Sequence, residues 1–235
     1  MPHPRHRSHL ARWALAGVAP WVWAAALALG LGALSNQDAG AGVKAALERG
    51  SETAVAKLGV NDGFFGNPKV RIGLPGGLKQ SESTLRMMGL GKQTDELVLA
   101  MNRAAEAAVP QAKPLLLNAV RSMTLGDAKA ILTGGDGSVT RFFRQKTQVP
   151  LGVTFLPIVR QATQRVGLAQ KYNAVAGQGA KLGLVSGEDA NVEQYVTQRA
   201  LDGLYTLIAQ EESAIRRDPA GTGSEILGKV FGSLR

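Results

Sequence analysis

Cysteine is absent from this 235-residue sequence, and histidine occurs only as His3, His6 and His9. Without a thiol, the chain cannot form a disulfide, a thiolate nucleophile or a thiolate metal site. All three histidines precede the first long apolar run, so a mature protein that has lost this segment contains none. Ser-His-Asp catalysis, Cys-His catalysis and histidine-based zinc sites are then excluded. The sequence therefore predicts no metal site and no cofactor, and it leaves paired carboxylates as almost the only catalytic route.

Positive charge is moderate and dispersed. The net charge is +9, but the first 35 residues contain Arg5, Arg7 and Arg12 and no acid, which leaves 24 basic against 18 acidic residues, or +6. Beyond this segment Arg216-Arg217 is the only basic doublet, and no aromatic residues interleave with the basic ones. These features indicate that the protein does not bind nucleic acid, and they favour anionic surfaces without specifying a partner.

The N-terminus is typical of a secretory signal. Basic residues precede the apolar run 13–34, and the small-x-small sequence Ala33-Leu34-Ser35 fits a cleavage site, with 39–41 as a later alternative. The run also has the length of a membrane-spanning helix, so an uncleaved anchor is the alternative interpretation. In both cases residues 36–235 lie beyond the cytoplasmic membrane, in a periplasm or the cell envelope, and membrane contact is restricted to the N-terminal segment.

Residues 36–235 are predicted to form a single all-α domain, a multi-helix bundle with short irregular loops. Its centre is expected at 94–133, where a helix capped by Thr94 is almost entirely apolar, and it is closed by a long helix over 188–218. At most one minor β-ribbon is expected, near 70–72. A mobile crossover is predicted at 177–187, and a last short helix is predicted around 226–231.

Glycine and proline punctuate this helical pattern. Gly59, Gly89 and Gly167 are each followed by an apolar residue, which is typical of a left-handed helix C-cap. Pro150 and Pro157 are expected to interrupt the segment that follows a helix with two adjacent phenylalanines, although apolar residues from Leu156 to Val166 continue the helical period. Thr124-Leu125-Gly126-Asp127 is typical of a capping box, with aspartate in place of glutamate, and predicts a helix over 125–132.

Four blocks, in order, resemble a known family. They are AMNRAAEAAVPQAKP (100–114), MTLGDAKAILTGGD (123–136), YVTQRALDGLYTLIAQEESAIRRDP (195–219) and KVFG (229–232). They are similar to the bacterial domain-of-unknown-function 4197 family, over roughly residues 43–232. The resemblance implies an exported, mostly helical protein, and it implies no activity.

Glu211 is the most informative polar residue of the long helix. On a helical wheel it projects into the apolar arc, between Leu207 and Ile215, whereas Glu212 falls at the edge of that arc. A carboxylate there must be paired, protonated or placed at a cleft, because an isolated buried charge is very costly. Its expected partners are Arg103, Arg141, Arg144 and Arg216. A structural ion pair and a ligand-contacting or acid/base carboxylate are the two interpretations.

Two further groups could carry chemistry. Asn102, Arg103 and Glu106 share a helix face at helical spacing; this pattern is usually solvated, but with Lys113 it could form a polar floor against Glu211. Gly134, Gly135 and Asp136 precede a helix start and could hold an anion, although a simple turn between two helices is the simpler interpretation.

The sequence therefore favours a non-enzymatic binding or structural protein of the bacterial envelope, whose partner is an envelope protein or an anionic envelope component. The alternative is a hydrolase-like enzyme that uses Glu211 with Glu106 or Asp136. A structure distinguishes the two interpretations, because an enzyme requires two carboxylates that converge in an open pocket.

Overall fold

The computed structural model describes residues 36–164, 166–167, 169–173, 191–219 and 221. This part of the chain contains eight α-helices with defined bounds, further helical residues at 167 and 169–173, one 3-10 turn at Val109–Gln111 and no β-strand, which confirms the predicted all-α bundle. The helices are α1 (Asn36–Leu58), α2 (Gly76–Gln80), α3 (Glu82–Met87), α4 (Gly91–Ala108), α5 (Ala112–Arg121), α6 (Leu125–Thr133), α7 (Ser138–Thr163) and α8 (Val192–Arg217).

Helices α7 and α8 form the main scaffold. Their mutual interface is the most extensive in the described residues, and α7 also packs against α4, α5 and α6. The two helices bury large side chains against each other and their neighbours, among them Phe143, Phe155, Leu204 and Tyr205. The segment 94–133, expected at the centre, packs against α7 through α4, α5 and α6.

Helix α7 runs through both of its prolines. Pro150 and Pro157 are exposed and lie inside a continuous helix of 26 residues, so the predicted interruptions were wrong. Each proline removes the N–H that would bond to the carbonyl four residues earlier, at Lys146 and Val153. Both of these residues are exposed as well, and burial of the opposite face holds the helix together.

The helix ends differ in part from the predicted ones. Gly89 has the left-handed conformation, with φ of 80°, as predicted, whereas Gly59 and Gly167 are not among the glycines with positive φ. Thr94 is not an N-cap; it lies within α4, and its hydroxyl donates to the Leu90 carbonyl at 2.9 Å. The capping box at Thr124 is confirmed, with both reciprocal bonds to Asp127 present.

The segment between α1 and α2 forms a loop of turns over residues 59–75, and residues 70–72 form no strand. Phe64, Val70, Ile72 and Leu74 are buried, so the loop packs onto the bundle. No helix in the described part of the chain has the length and hydrophobicity needed to cross a membrane. The predicted leader, the crossover at 177–187 and the last short helix lie outside the described residues.

Candidate functional site

Glu106 of α4 organises the first half of the 59–75 loop. One carboxylate oxygen, Oε1, accepts hydrogen bonds from the backbone N–H groups of Phe64 and Phe65, at 3.0 and 3.1 Å. The other accepts from Arg103 at 2.6 Å, and Arg103 also donates to Asp62 at 2.8 Å. These hydrogen bonds, to Glu106 first and then to Asp62, raise the pKa of the Arg103 guanidinium. Glu106 is thus fully occupied in holding the loop.

Asn102, one turn earlier on α4, organises the second half of the loop. Its Oδ1 accepts from the Ile72 N–H at 2.9 Å, while its Nδ2 donates to the Ile72 carbonyl at 2.8 Å and to the Val98 carbonyl at 2.7 Å. One side chain therefore satisfies the backbone of the residue expected in a β-ribbon. Asn102 and Glu106 are buried, so the interpretation of this face as solvated was wrong.

The buried glutamate of α8 is Glu212, and the assignment to Glu211 was wrong by one position. Glu212 is 4% exposed, whereas the Glu211 side chain is 18% exposed and bonds to Lys57 Nζ of α1 at 2.5 Å. Glu211 therefore does not face Asn102, Arg103 and Glu106. Lys113 does not either, because it pairs with Glu52 at 3.0 Å. The polar cluster predicted to lie against Glu211 therefore contains only Asn102, Arg103 and Glu106 of α4.

Glu212 occupies the anion position at the start of α7. Its carboxylate accepts from the backbone N–H groups of Val139 and Thr140, at 3.2 and 3.4 Å, and from the Ser138 hydroxyl at 3.3 Å. Arg216 pairs with the same carboxylate at 3.1 Å and also donates to the Ile131 carbonyl. A helix N-terminus favours negative charge, and here the protein supplies that charge itself.

The predicted anion loop lies just before this helix start. Gly135 and Gly137 have positive φ, so the segment is a turn between α6 and α7. The Gly134 carbonyl accepts from Arg141, and Asp136 points outward with its side chain 82% exposed. The backbone N–H groups that reach an anion belong to the helix that follows, and Glu212 already occupies them.

The carboxylates proposed for hydrolysis each have a different cation. Glu106 pairs with Arg103, Glu211 pairs with Lys57, and Asp136 lies 3.9 Å from Arg216. The described residues contain no group of three or more aspartate, glutamate, histidine or cysteine side chains that could hold a metal ion. The arrangement suits structural ion pairs, because buried charges persist only when they are paired and hydrogen-bonded.

An open groove lies where the 59–75 loop meets α8. It has a volume of about 180 Å³ and is lined by Lys69–Gly73 on the loop side and by Tyr195, Arg199, Asp202, Gly203 and Thr206 on the α8 side. We call it the loop groove. Gly203 permits the close contact of its two walls, because a Cβ atom there would lie 2.5 Å from the Phe64 ring. The Tyr195 hydroxyl donates to the Gly73 carbonyl at 3.1 Å and ties the walls together.

The comparison with known families supports the resemblance seen in the sequence. A family described as a protein of unknown function (DUF4197) matches residues 33–232. The chain belongs to the DUF4197 family. No curated protein and no solved structure matches it. Membership of the DUF4197 family therefore assigns no activity to this chain.

Sequence reasoning identified the α4 residues and missed the loop groove. Lys69 and Arg71 come from the loop, while Tyr195 and Arg199 come from a helix more than 120 positions later. No local pattern connects them, because their proximity depends on how the loop folds back on the bundle. The only local signal is Gly203, a glycine inside a long helix, which can mark a close approach of another segment.

Proposed function

We propose that this DUF4197 protein is a non-enzymatic binding protein of the bacterial cell envelope and that it holds an anionic envelope component. The observation that supports the proposal is that the buried carboxylates are already hydrogen-bonded and ion-paired within the protein. Glu106 and Glu212 are each satisfied by backbone N–H groups and by an arginine. A general acid or base needs a carboxylate that can reach a substrate, and these two cannot.

Accessible positive charge supports the anionic nature of the ligand. Lys69, Arg71 and Arg199 line the loop groove, and Asp202 is the only carboxylate among the described residues that line it. A cleft in which one sign of charge predominates raises the local concentration of counter-ions and favours their binding. The N-terminal pattern of a basic segment followed by an apolar run supports placement in the envelope.

Binding is tested with immobilised protein and envelope extracts in buffers of increasing salt. We expect an anionic component to be retained at low salt and released as salt rises, because the Debye length falls from about 10 Å at about 0.1 M to about 3 Å at about 1 M. An unrelated immobilised protein of the same net charge is the control. Equal retention by that control would contradict specific binding.

The enzymatic alternative is tested with the same envelope extracts. Purified wild-type protein is expected to leave their components chemically unchanged. Breakdown of a component that is abolished by Glu211→Gln, in a variant with an unchanged melting temperature, would instead support the hydrolase. Location is tested by fractionation of cells that express the native chain, and recovery in the cytoplasm would contradict an envelope role.

A further inference from the structure

The loop groove brings together three cations from two distant parts of the chain. Lys69 and Arg71 lie on the loop wall, and Arg199 lies on the α8 wall, across a cavity of about 180 Å³. Like charges held near each other repel, and the repulsion is relieved when a counter-ion enters. A protein that keeps such a cluster gains affinity for an anion that fits between the two walls.

The groove's own carboxylate neutralises only part of the charge of this cluster. Asp202 Oδ1 accepts from Arg144 at 3.2 Å and from Gln198 at 3.3 Å, and Oδ2 lies 3.5 Å from Arg199. Asp202 is therefore shared between two guanidinium groups, one of which lies outside the groove. In the described part of the chain neither Lys69 nor Arg71 makes an ion pair, and Arg71 stacks over the Phe65 ring at 4.3 Å.

The walls of the groove are held in place before any ligand arrives. Asn102 fixes the backbone at Ile72, next to Arg71, and the Tyr195 hydroxyl fixes Gly73. The Arg199 guanidinium lies 5.3 Å from the Tyr195 ring, which restricts its position. Preorganised cations lose less conformational entropy on binding than free side chains do.

Resting on the proposed function, we infer that the loop groove binds a phosphate group. Guanidinium groups such as those of Arg71 and Arg199 have planar forks that match phosphate oxygens, and a lysine adds a point charge. The cationic side chains around the cavity suit a solvated oxyanion better than an apolar ligand. The phosphate belongs either to a soluble compound or to a lipid headgroup, and the experiment distinguishes these sources.

The experiment uses two probes and matched variants of the purified protein. Inorganic phosphate is titrated by calorimetry, and vesicles of phosphatidylglycerol or phosphatidylcholine are used in co-sedimentation. The groove variant is Arg71→Gln with Arg199→Gln. The control is Lys92→Gln with Arg217→Gln, which removes the same charge at exposed positions outside the groove lining. Lys69→Gln is a second groove variant, at an exposed residue whose loss breaks no ion pair.

We expect the groove variant to bind phosphate at least about tenfold more weakly than wild type at equal salt, and Lys69→Gln to show a smaller loss. The control should bind as wild type does, and all variants should keep the wild-type melting temperature. Groove-dependent binding to phosphatidylglycerol vesicles identifies a lipid headgroup as the source. Groove-dependent binding of inorganic phosphate alone identifies a soluble compound.

Two results would overturn the inference: no binding of either probe by wild type, or an equal loss in the groove and control variants. If the double groove variant does not fold, unchanged phosphate binding by Lys69→Gln overturns it as well. Retention of the envelope component by the immobilised groove variant distinguishes failure of this inference from failure of the proposed function. If the groove variant still retains that component, the protein is a binder and its site lies elsewhere.

Discussion

Each buried glutamate accepts hydrogen bonds from two consecutive backbone N–H groups and pairs with an arginine of its own helix. Glu106 joins Arg103 to the loop at Phe64, and Glu212 joins Arg216 to the start of α7. Burial of a carboxylate is costly unless charge and hydrogen bonds compensate it. The repeated arrangement explains how two glutamates remain charged in the interior of the bundle.

The neighbouring glutamates of α8 provide a direct test. Glu212→Ala is expected to lower the free energy of unfolding by about 3–5 kcal/mol, because it leaves Arg216 and the α7 N–H groups without their carboxylate. Glu211→Ala should cost less, about 1 kcal/mol, because its partner Lys57 is more than half exposed and can be solvated when the carboxylate is removed. Urea denaturation followed by circular dichroism measures both. Similar losses for the two variants would show that burial does not separate their roles.

Asn102 supports a second prediction at this scale. Asn102→Ala removes the amide that satisfies both backbone groups of Ile72, and each buried unsatisfied group costs about 1–3 kcal/mol. We expect lower stability and faster hydrogen exchange at the N–H of Ile72, with little change in exchange at the α7–α8 interface. Unchanged exchange at Ile72 would indicate that the loop is held by apolar packing alone.

At the scale of elements, α8 and the 59–75 loop pack closely because α8 has a glycine at their contact. Gly203 is buried against Phe64 and Val70, and a Cβ atom there would lie 2.5 Å from the Phe64 ring. Glycine is unfavourable inside a helix by about 1 kcal/mol relative to alanine. The lower helix propensity of Gly203 is therefore offset by close packing of the loop, which forms one wall of the groove.

A matched pair of glycine variants tests this explanation. A Cβ atom added at Gly152, inside α7, would meet nothing within 4 Å, so Gly152→Ala should stabilise the protein by up to about 1 kcal/mol. Gly203→Ala gains the same helix propensity but overpacks the interior, which costs about 1–3 kcal/mol, so its net effect should be destabilising. Thermal unfolding distinguishes the two signs, and stabilisation by both variants would contradict the close contact.

The capping box of α6 predicts a pH dependence. Hydrogen bonds from Thr124, the backbone N–H first, hold the pKa of Asp127 below its ordinary value of 3.8. A lowered folded-state pKa contributes stability above the unfolded value, and this contribution is lost as the pH falls through the folded value. Asp127→Asn should therefore be less stable than wild type at neutral pH, by up to about 1 kcal/mol, and the difference should shrink below pH 3.8. A difference independent of pH would contradict a role for the charge.

At the scale of the whole molecule, α7 and α8 link the elements of one compact unit. α7 contacts α4, α5 and α6, while α8 contacts α1 and α4 as well as α7. Because the described helices share these partners, we expect them to unfold together. Circular dichroism of the helices and fluorescence of tyrosine, including the buried Tyr205, should give coincident transitions in urea. Two separate transitions would show that part of the bundle is independently stable.

Local patterns predicted the helical class and the α6 capping box. They failed where helix faces had to be assigned to within one residue. Glu211 and Glu212 differ by about 100° on the helix, and only the position of α7 decides which of them is buried. They failed also at Pro150 and Pro157, because tertiary packing stabilises a helix that local propensity would interrupt.

The sequence by itself determined the helices and the chemistry available to them, because periodicity, caps and the absence of cysteine are properties of the chain. The tertiary structure alone decided which charges are enclosed and which remain accessible. Enclosure depends on contacts between residues far apart in the chain, such as Glu212 with the start of α7. Accessibility depends on the fold in the same way, because Arg71 and Arg199 line one groove although they lie far apart in the sequence. The groove therefore belongs to the fold, and no stretch of the sequence contains it.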